Sequence, residues 1–407
     1  MNVCGGMTES YQPAALRQPP EFGSANRVAY VDWLRVLALL GVFVIHVCSP
    51  FNSWDYWHIR SPERSRLLGA VVVLMAPWIM PLFMMLAGTS AWYSLRRRTN
   101  AEYVRDRVTR ILIPLIIGIL VLVPPQVYAE RRLYGQFTGN FLEFYPRFFH
   151  GGIYPFGNFS WHHLWFLGYL FAYSLLALPL FRFWRGERGQ RQLEWLARIS
   201  SGPMGLLWLA VPILVERYFF WFAFGRRNLL LADWSGRSIL FVLYAYGFVL
   251  AAEPGFGRNV DRQWRRFLAL GVVGISGLIT LAWVGAIPSR FPPTSEWWAL
   301  AFWTVYAVGA WSWVVAVLGI GRRYLNTDTH VLERGRRAGL TWYLVHQPVI
   351  VLLAASVVTW RTGVGVKALA LLLLSLAGTV LLVMLVHNAK FLLPRSPTPQ
   401  NGAAAVS

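Results

Sequence analysis

Several residue types and patterns are scarce in this chain, and each scarcity excludes something. Its 407 residues include 2 cysteines, Cys4 and Cys48, which cannot form a disulfide framework. No C-x-x-C or Cys/His metal spacing occurs, so no metal site is expected. Lysine is confined to Lys367 and Lys390, and acidic residues number 18 against 38 basic ones. The basic excess is therefore arginine. It lies in short loops between apolar runs, which argues for membrane topology and against a nucleic-acid surface. No internal repeat, P-loop or Gly-rich nucleotide fingerprint is present. The first 27 residues are polar and have no apolar core, so they do not read as a cleavable leader.

What is abundant is apolar sequence. Hydrophobic residues make up 56% of the chain and the mean hydropathy is +0.45. Apolar segments near the length of a bilayer crossing recur throughout. The fold expected is an all-α integral membrane bundle of about ten transmembrane helices. They lie near 30–48, 68–92, 109–128, 162–181, 204–222, 236–252, 266–286, 297–320, 338–358 and 365–391. Residues 1–27 and 393–407 read as disordered tails flanking a membrane domain at 28–392. Arginines concentrate in the even-numbered connections, which places both termini in the cytoplasm.

Five stretches carry ionisable or helix-breaking residues inside this apolar sequence. Arg35 and His46 stand eleven positions apart near one face of the first helix, roughly 16 Å apart along its axis. Asp32 sits where it can pair with Arg35. The second helix holds Pro77, Pro81 and Ala87-Gly88, which loosen it and allow close backbone approach. Arg105, Arg107 and Arg110 lie at an inner mouth, where guanidiniums suit phosphates. His162 and His163 open the fourth helix and point about 100° apart. In the ninth, Pro348 follows His346 and frees a backbone carbonyl nearby. Ionisable groups at membrane depth usually face a bundle interior or a substrate path. Each also has a plainer reading as packing, anchoring or interfacial belt. Trp57 and Trp161, among many outer aromatics, could stack on a sugar, and Glu216 with Arg226 marks an outer charge cluster.

Together these residues resemble the integral-membrane acyltransferases called acyltransferase 3. The matches are Arg35-x10-His46, Phe83 to Gly88, Arg107-x-x-Arg110 ahead of Pro114, His163 to Leu167, and Leu344 to Pro348. Ala87 departs from the serine that the family often has there. Trp57-His58, the Arg-rich turn and His346-Gln347-Pro348 are similar to glucan succinyltransferases of the periplasmic-glucan type. The resemblance implies a standalone, multi-pass enzyme of the bacterial inner membrane with no permanently bound cofactor. It implies transfer of an acetyl or succinyl group from cytoplasmic acyl-CoA to a hydroxyl of an extracytoplasmic glycan. His46 would then be general base or acyl carrier, with His163 and His346 as donors or orienters. Arg105, Arg107 and Arg110 would hold the donor, Arg35 would serve donor binding or channel structure, and Trp57, Trp161, Glu216 and Arg226 would hold the acceptor. Two rivals from other classes are a glycan transporter or flippase and a non-catalytic component of a glycan-assembly complex.

Overall fold

The computed structural model describes residues 28–54, 57–224, 229–286 and 296–392. The expected disordered tails 1–27 and 393–407, and with them the side of the membrane on which the termini lie, fall outside the described residues. The described residues form helices joined by short connections. In chain order these are α1 (Ala29–Cys48), α2 (Arg66–Leu95), α3 (Asn100–Arg107), α4 (Ile113–Val121), α5 (Val123–Leu133) and α6 (Phe141–His150). There follow α7 (Trp165–Leu176), α8 (Leu178–Arg185), α9 (Glu187–Ile199), α10 (Ala210–Phe224) and α11 (Leu229–Ala252). The last four are α12 (Pro254–Trp283), α13 (Glu296–Tyr324), α14 (His330–Val357) and α15 (Val364–Leu392).

Local chemistry sets several of these starts. Ser65 and Thr329 accept from the backbone N–H of Leu68 and Leu332, capping α2 and α14. Thr99 and Glu102 close a reciprocal capping box on α3. Pro114, Pro124 and Pro254 sit in first turns, where a missing N–H costs nothing.

Among the described residues seven helices are long and apolar enough to cross a membrane. The number is eight if the pair His162–Leu176 and Leu178–Arg185, bent by 48°, is one crossing. Two shorter apolar helices, Gly205–Glu216 and Arg237–Ala252, coincide with the two remaining expected segments. Large apolar side chains on α4 (Ile113, Ile117, Val121), α12 (Val273) and α15 (Leu369, Leu373, Leu381) are exposed. Exposed apolar surface of that extent suits lipid and not water. The chain is a multi-pass membrane protein.

The first helix is central: it touches α2, α13, α14 and α15. The helices α2 and α11 cross closely at two glycines. A Cβ on Gly88 would lie 1.9 Å from Tyr244 O, and one on Gly247 would lie 1.8 Å from Met85 O. Thr89 Oγ1 donates to Gly247 O across the same crossing at 3.0 Å. This is the small-residue contact expected of Ala87-Gly88. α2 itself continues unbroken through Pro77 and Pro81.

Candidate active site

The seam on α1 is anchored at both ends. At the Asp32 end, Arg35 Nη1 donates to Asp32 Oδ1 at 2.9 Å, and Nη2 donates to Leu86 O at 2.8 Å and to Ser90 Oγ. Arg336 of α14 reaches Asp32 Oδ2 at 3.3 Å. Arg35 is thus committed to tying α1 to α2. That favours the structural of the two roles considered for it, donor binding being the other.

At the other end, His46 Nδ1 lies 3.1 Å from His346 Nε2. The network assigns the protons. His346 Nδ1 faces two carbonyls, Tyr343 O at 2.8 Å and Trp342 O at 3.1 Å. Carbonyls only accept, so Nδ1 carries a proton, and in the neutral ring Nε2 is a lone pair. His46 Nδ1 must donate to it. His46 Nε2 is then left with a lone pair and no hydrogen-bond partner among the described residues, on a half-buried side chain. That is the arrangement of a general base held by an orienter.

His163 is bound to the same helix where Pro348 removes a donor. Pro348 has no N–H, so Leu344 O lacks its helical donor. His163 Nε2 donates to Leu344 O at 3.1 Å. Tyr343 Oη donates back to His163 O. The His163 ring stands edge-on to His346, centroids 5.4 Å apart, and its buried Nδ1 has no hydrogen-bond partner among the described residues. With both ring protons given to backbone carbonyls, neither neutral His163 nor neutral His346 presents a donor to a substrate. His346 is placed to hold the His46 ring, and His163 offers an acceptor. Deeper in, Gln347 Nε2 donates to Gln126 Oε1 at 3.2 Å, joining α14 to α5 through a buried amide pair.

Trp57, expected to contact the acceptor, stacks its ring on His46 with centroids 6.1 Å apart. It also packs against His58 at 5.5 Å. Trp161 is exposed and packs on Tyr169, with no ring contact to His46. Glu216 accepts from Ser238. Neighbouring Arg237 lies over Trp165 at 4.3 Å and Tyr169 at 5.4 Å. No contact joins this cluster to His46 among the described residues, and Arg226 lies outside them.

The arginine mouth is built on one carboxylate that the sequence reading gave no role. Asp106 receives Arg98 at 3.0 Å, Arg107 at 3.0 Å and Arg110 at 2.9 Å. A π-helical turn, Val108–Leu112, follows Arg107 and contains Arg110. Such turns often mark functional sites. The two arginines differ. Arg107 is mostly buried and lies 4.7 Å over the Tyr103 ring, whereas 72% of the Arg110 side chain is exposed. Arg105 is exposed.

The sequence reading also missed a cluster of His58, Glu130 and His162. His58 Nδ1 is 3.0 Å from Tyr154 Oη and 3.8 Å from Glu130 Oε2, and Tyr154 Oη donates to Glu130 Oε1 at 3.1 Å. Burial pushes the His58 imidazole down to about 4, so it is neutral near pH 7. These residues stand 72 and 32 positions apart, and no spacing rule could have joined them.

Buried polar groups converging on one end of a lipid-embedded bundle, with a free imidazole lone pair beside an indole, define a membrane protein built to act on a bound molecule. The sequence pattern of the acyltransferase 3 family, described as an acyltransferase domain, matches residues 28–387, and the chain belongs to that family. It is similar to Glucans biosynthesis protein C of Escherichia coli O6:K15:H31 (strain 536 / UPEC), 22% identical over 345 residues covering 81% of this chain and 84% of that protein. Glucans biosynthesis protein C of Escherichia coli (strain K12) is 22% identical over 347 residues, with the same coverage.

Proposed function

We propose that this membrane acyltransferase is an O-acyltransferase of the bacterial inner membrane. It takes an acetyl or succinyl group from acyl-CoA on the cytoplasmic side and passes it to a hydroxyl of an extracytoplasmic glycan. The observation that carries the reading is the His46–His346 pair, which holds a lone pair on His46 Nε2. The name of the relatives supports a glucan as acceptor.

His46 Nε2 removes the proton of the acceptor hydroxyl as its oxygen attacks the thioester carbonyl. The C–S bond breaks, the ester forms, and the coenzyme A thiolate leaves and takes up a proton. A sugar hydroxyl needs this help because it ionises far above pH 7, and a neutral imidazole is suited to supply it. His346 fixes which nitrogen of His46 is free. Trp57 offers a flat apolar face beside it for a sugar ring. The exposed guanidinium of Arg110 suits the phosphates of the donor, and Arg107 with Asp106 supports it.

The test is His46→Gln, since an amide cannot accept a proton near neutral pH. The variant is expected to fold and to bind acyl-CoA, while glycan acylation falls by ~100- to 10,000-fold. Acylation within a few-fold of wild type would refute His46 as the base and make His163 or His346 the next residue to test, whereas wild-type protein that consumes no acyl-CoA would favour a transporter or a scaffold.

A further inference from the structure

We propose that His58, Glu130 and His162 form a binding site for a divalent first-row transition cation of the zinc type, which staples three segments around the His46 end of the bundle. One ligand atom from each residue lies within 4.8 Å of the other two. Two imidazoles and one carboxylate are a recurrent donor set for such cations, with a fourth position left for water or a substrate oxygen.

The polar atoms themselves point to a ligand. Glu130 is 2% exposed and His162 6% exposed. Glu130 Oε2 and His162 Nε2 are buried and have no hydrogen-bond partner among the described residues. A carboxylate oxygen and a ring nitrogen left so in one place are costly unless something pairs them. Their other atoms are already oriented, as metal ligands usually are. His162 Nδ1 lies 2.8 Å from Ser160 Oγ; with that proton given to Ser160, Nε2 is a lone pair. Glu130 Oε1 is held by Tyr154 Oη. The backbone of His162 lies at φ 41°, a left-handed conformation uncommon for non-glycine residues. The rings of His58 and His162 are stacked 4.1 Å apart at 14°, so one must turn about χ2 to aim at a shared ion. That torsion is soft.

The position gives the site a purpose. His58 lies on the connection from α1 to α2, Glu130 on α5, and His162 just before α7. Trp57 touches both His58 and His46, so the ion would fix the wall on which Trp57 stands.

The measurement is metal content by mass spectrometry of the detergent-purified protein carrying no polyhistidine tag. About one ion per chain is expected. After chelator treatment, added Co2+ should give the visible absorption of a nitrogen- and oxygen-ligated site. Glu130→Gln and His162→Gln should abolish that absorption, and His46→Gln should keep it. Tyr154→Phe, which removes no ligand, should weaken Co2+ binding by ~10- to 100-fold and keeps the test open if the ligand variants do not fold. The proposal is overturned by wild-type protein that retains no metal and gives no Co2+ absorption. It is also overturned by absorption that survives in Glu130→Gln and His162→Gln, or that is lost in His46→Gln, since the ion would then sit on other histidines. None of these readouts depends on acyl transfer.

Discussion

Placing a methyl group in the α2–α11 crossing should separate two helices, and its cost can be worked from the geometry. Gly88→Ala puts a carbon 1.9 Å from Tyr244 O, and Gly247→Ala puts one 1.8 Å from Met85 O. Both obstacles are backbone, which cannot rotate away, so the axes must part by more than an ångström. Overpacking of this kind costs about 1–3 kcal/mol, and a backbone clash this deep belongs near the top of that range. Alanine returns about 1 kcal/mol through its higher helix propensity. Each single change should therefore destabilise by about 2 kcal/mol net. The two clashes share one crossing, so a separation that relieves the first makes room for the second. The double variant should cost less than the sum of the singles by at least ~0.5 kcal/mol. Gly277, which has nothing within 4 Å of an added Cβ, provides the control, and Gly277→Ala should be neutral or slightly stabilising. Denaturation in detergent, followed by tryptophan fluorescence, reads all four. Singles as stable as wild type, or a strictly additive double, would refute the close crossing.

Two further outcomes follow from charges. Lys367 is buried on α15 and donates to exposed Glu63. The hydrogen bond from Lys367 holds the Glu63 carboxyl below its ordinary value. A depressed carboxylate stabilises above its unfolded pKa, and that stability is lost as pH falls through its folded pKa. Acidification below the ordinary carboxylate range should thus lower the unfolding temperature of wild type more than that of Glu63→Gln; equal slopes would refute the pairing. At the arginine mouth, Arg110→Ala should weaken acyl-CoA binding in a protein as stable as wild type. Arg107→Ala should also lower stability, because it strips Asp106 and the Tyr103 ring of a buried partner. Unchanged acyl-CoA affinity in Arg110→Ala, measured by calorimetry, would return the mouth to membrane anchoring.

Much of this was legible where one stretch of chain carries its own signal. Arg35 and His46 on one apolar helix announced a polar seam by composition alone. Pro348 announced a freed carbonyl, and Gly88 a close approach. What could not be read depends on distant segments meeting. Which proton His46 carries is fixed by carbonyls of α14. Asp106 is one acid among arginines until three of them are seen to converge on it. His58, Glu130 and His162 come from a connection, a helix end and a turn, and only packing brings them together. Segments 204–222 and 236–252 were found as apolar sequence, but hydropathy alone could not show how their helices end.

The bond from His163 to Leu344 O has a consequence for other sequences. That carbonyl is open only because position 348 is proline, and the proline is tolerated only because something fills the carbonyl. The two positions, 185 residues apart, are therefore expected to vary together. In relatives that lose the proline, the histidine's ring proton has no seat and position 163 is free to drift. Relatives that keep it should keep a donor there. A comparison of many sequences should show the pair changing together more often than either changes alone.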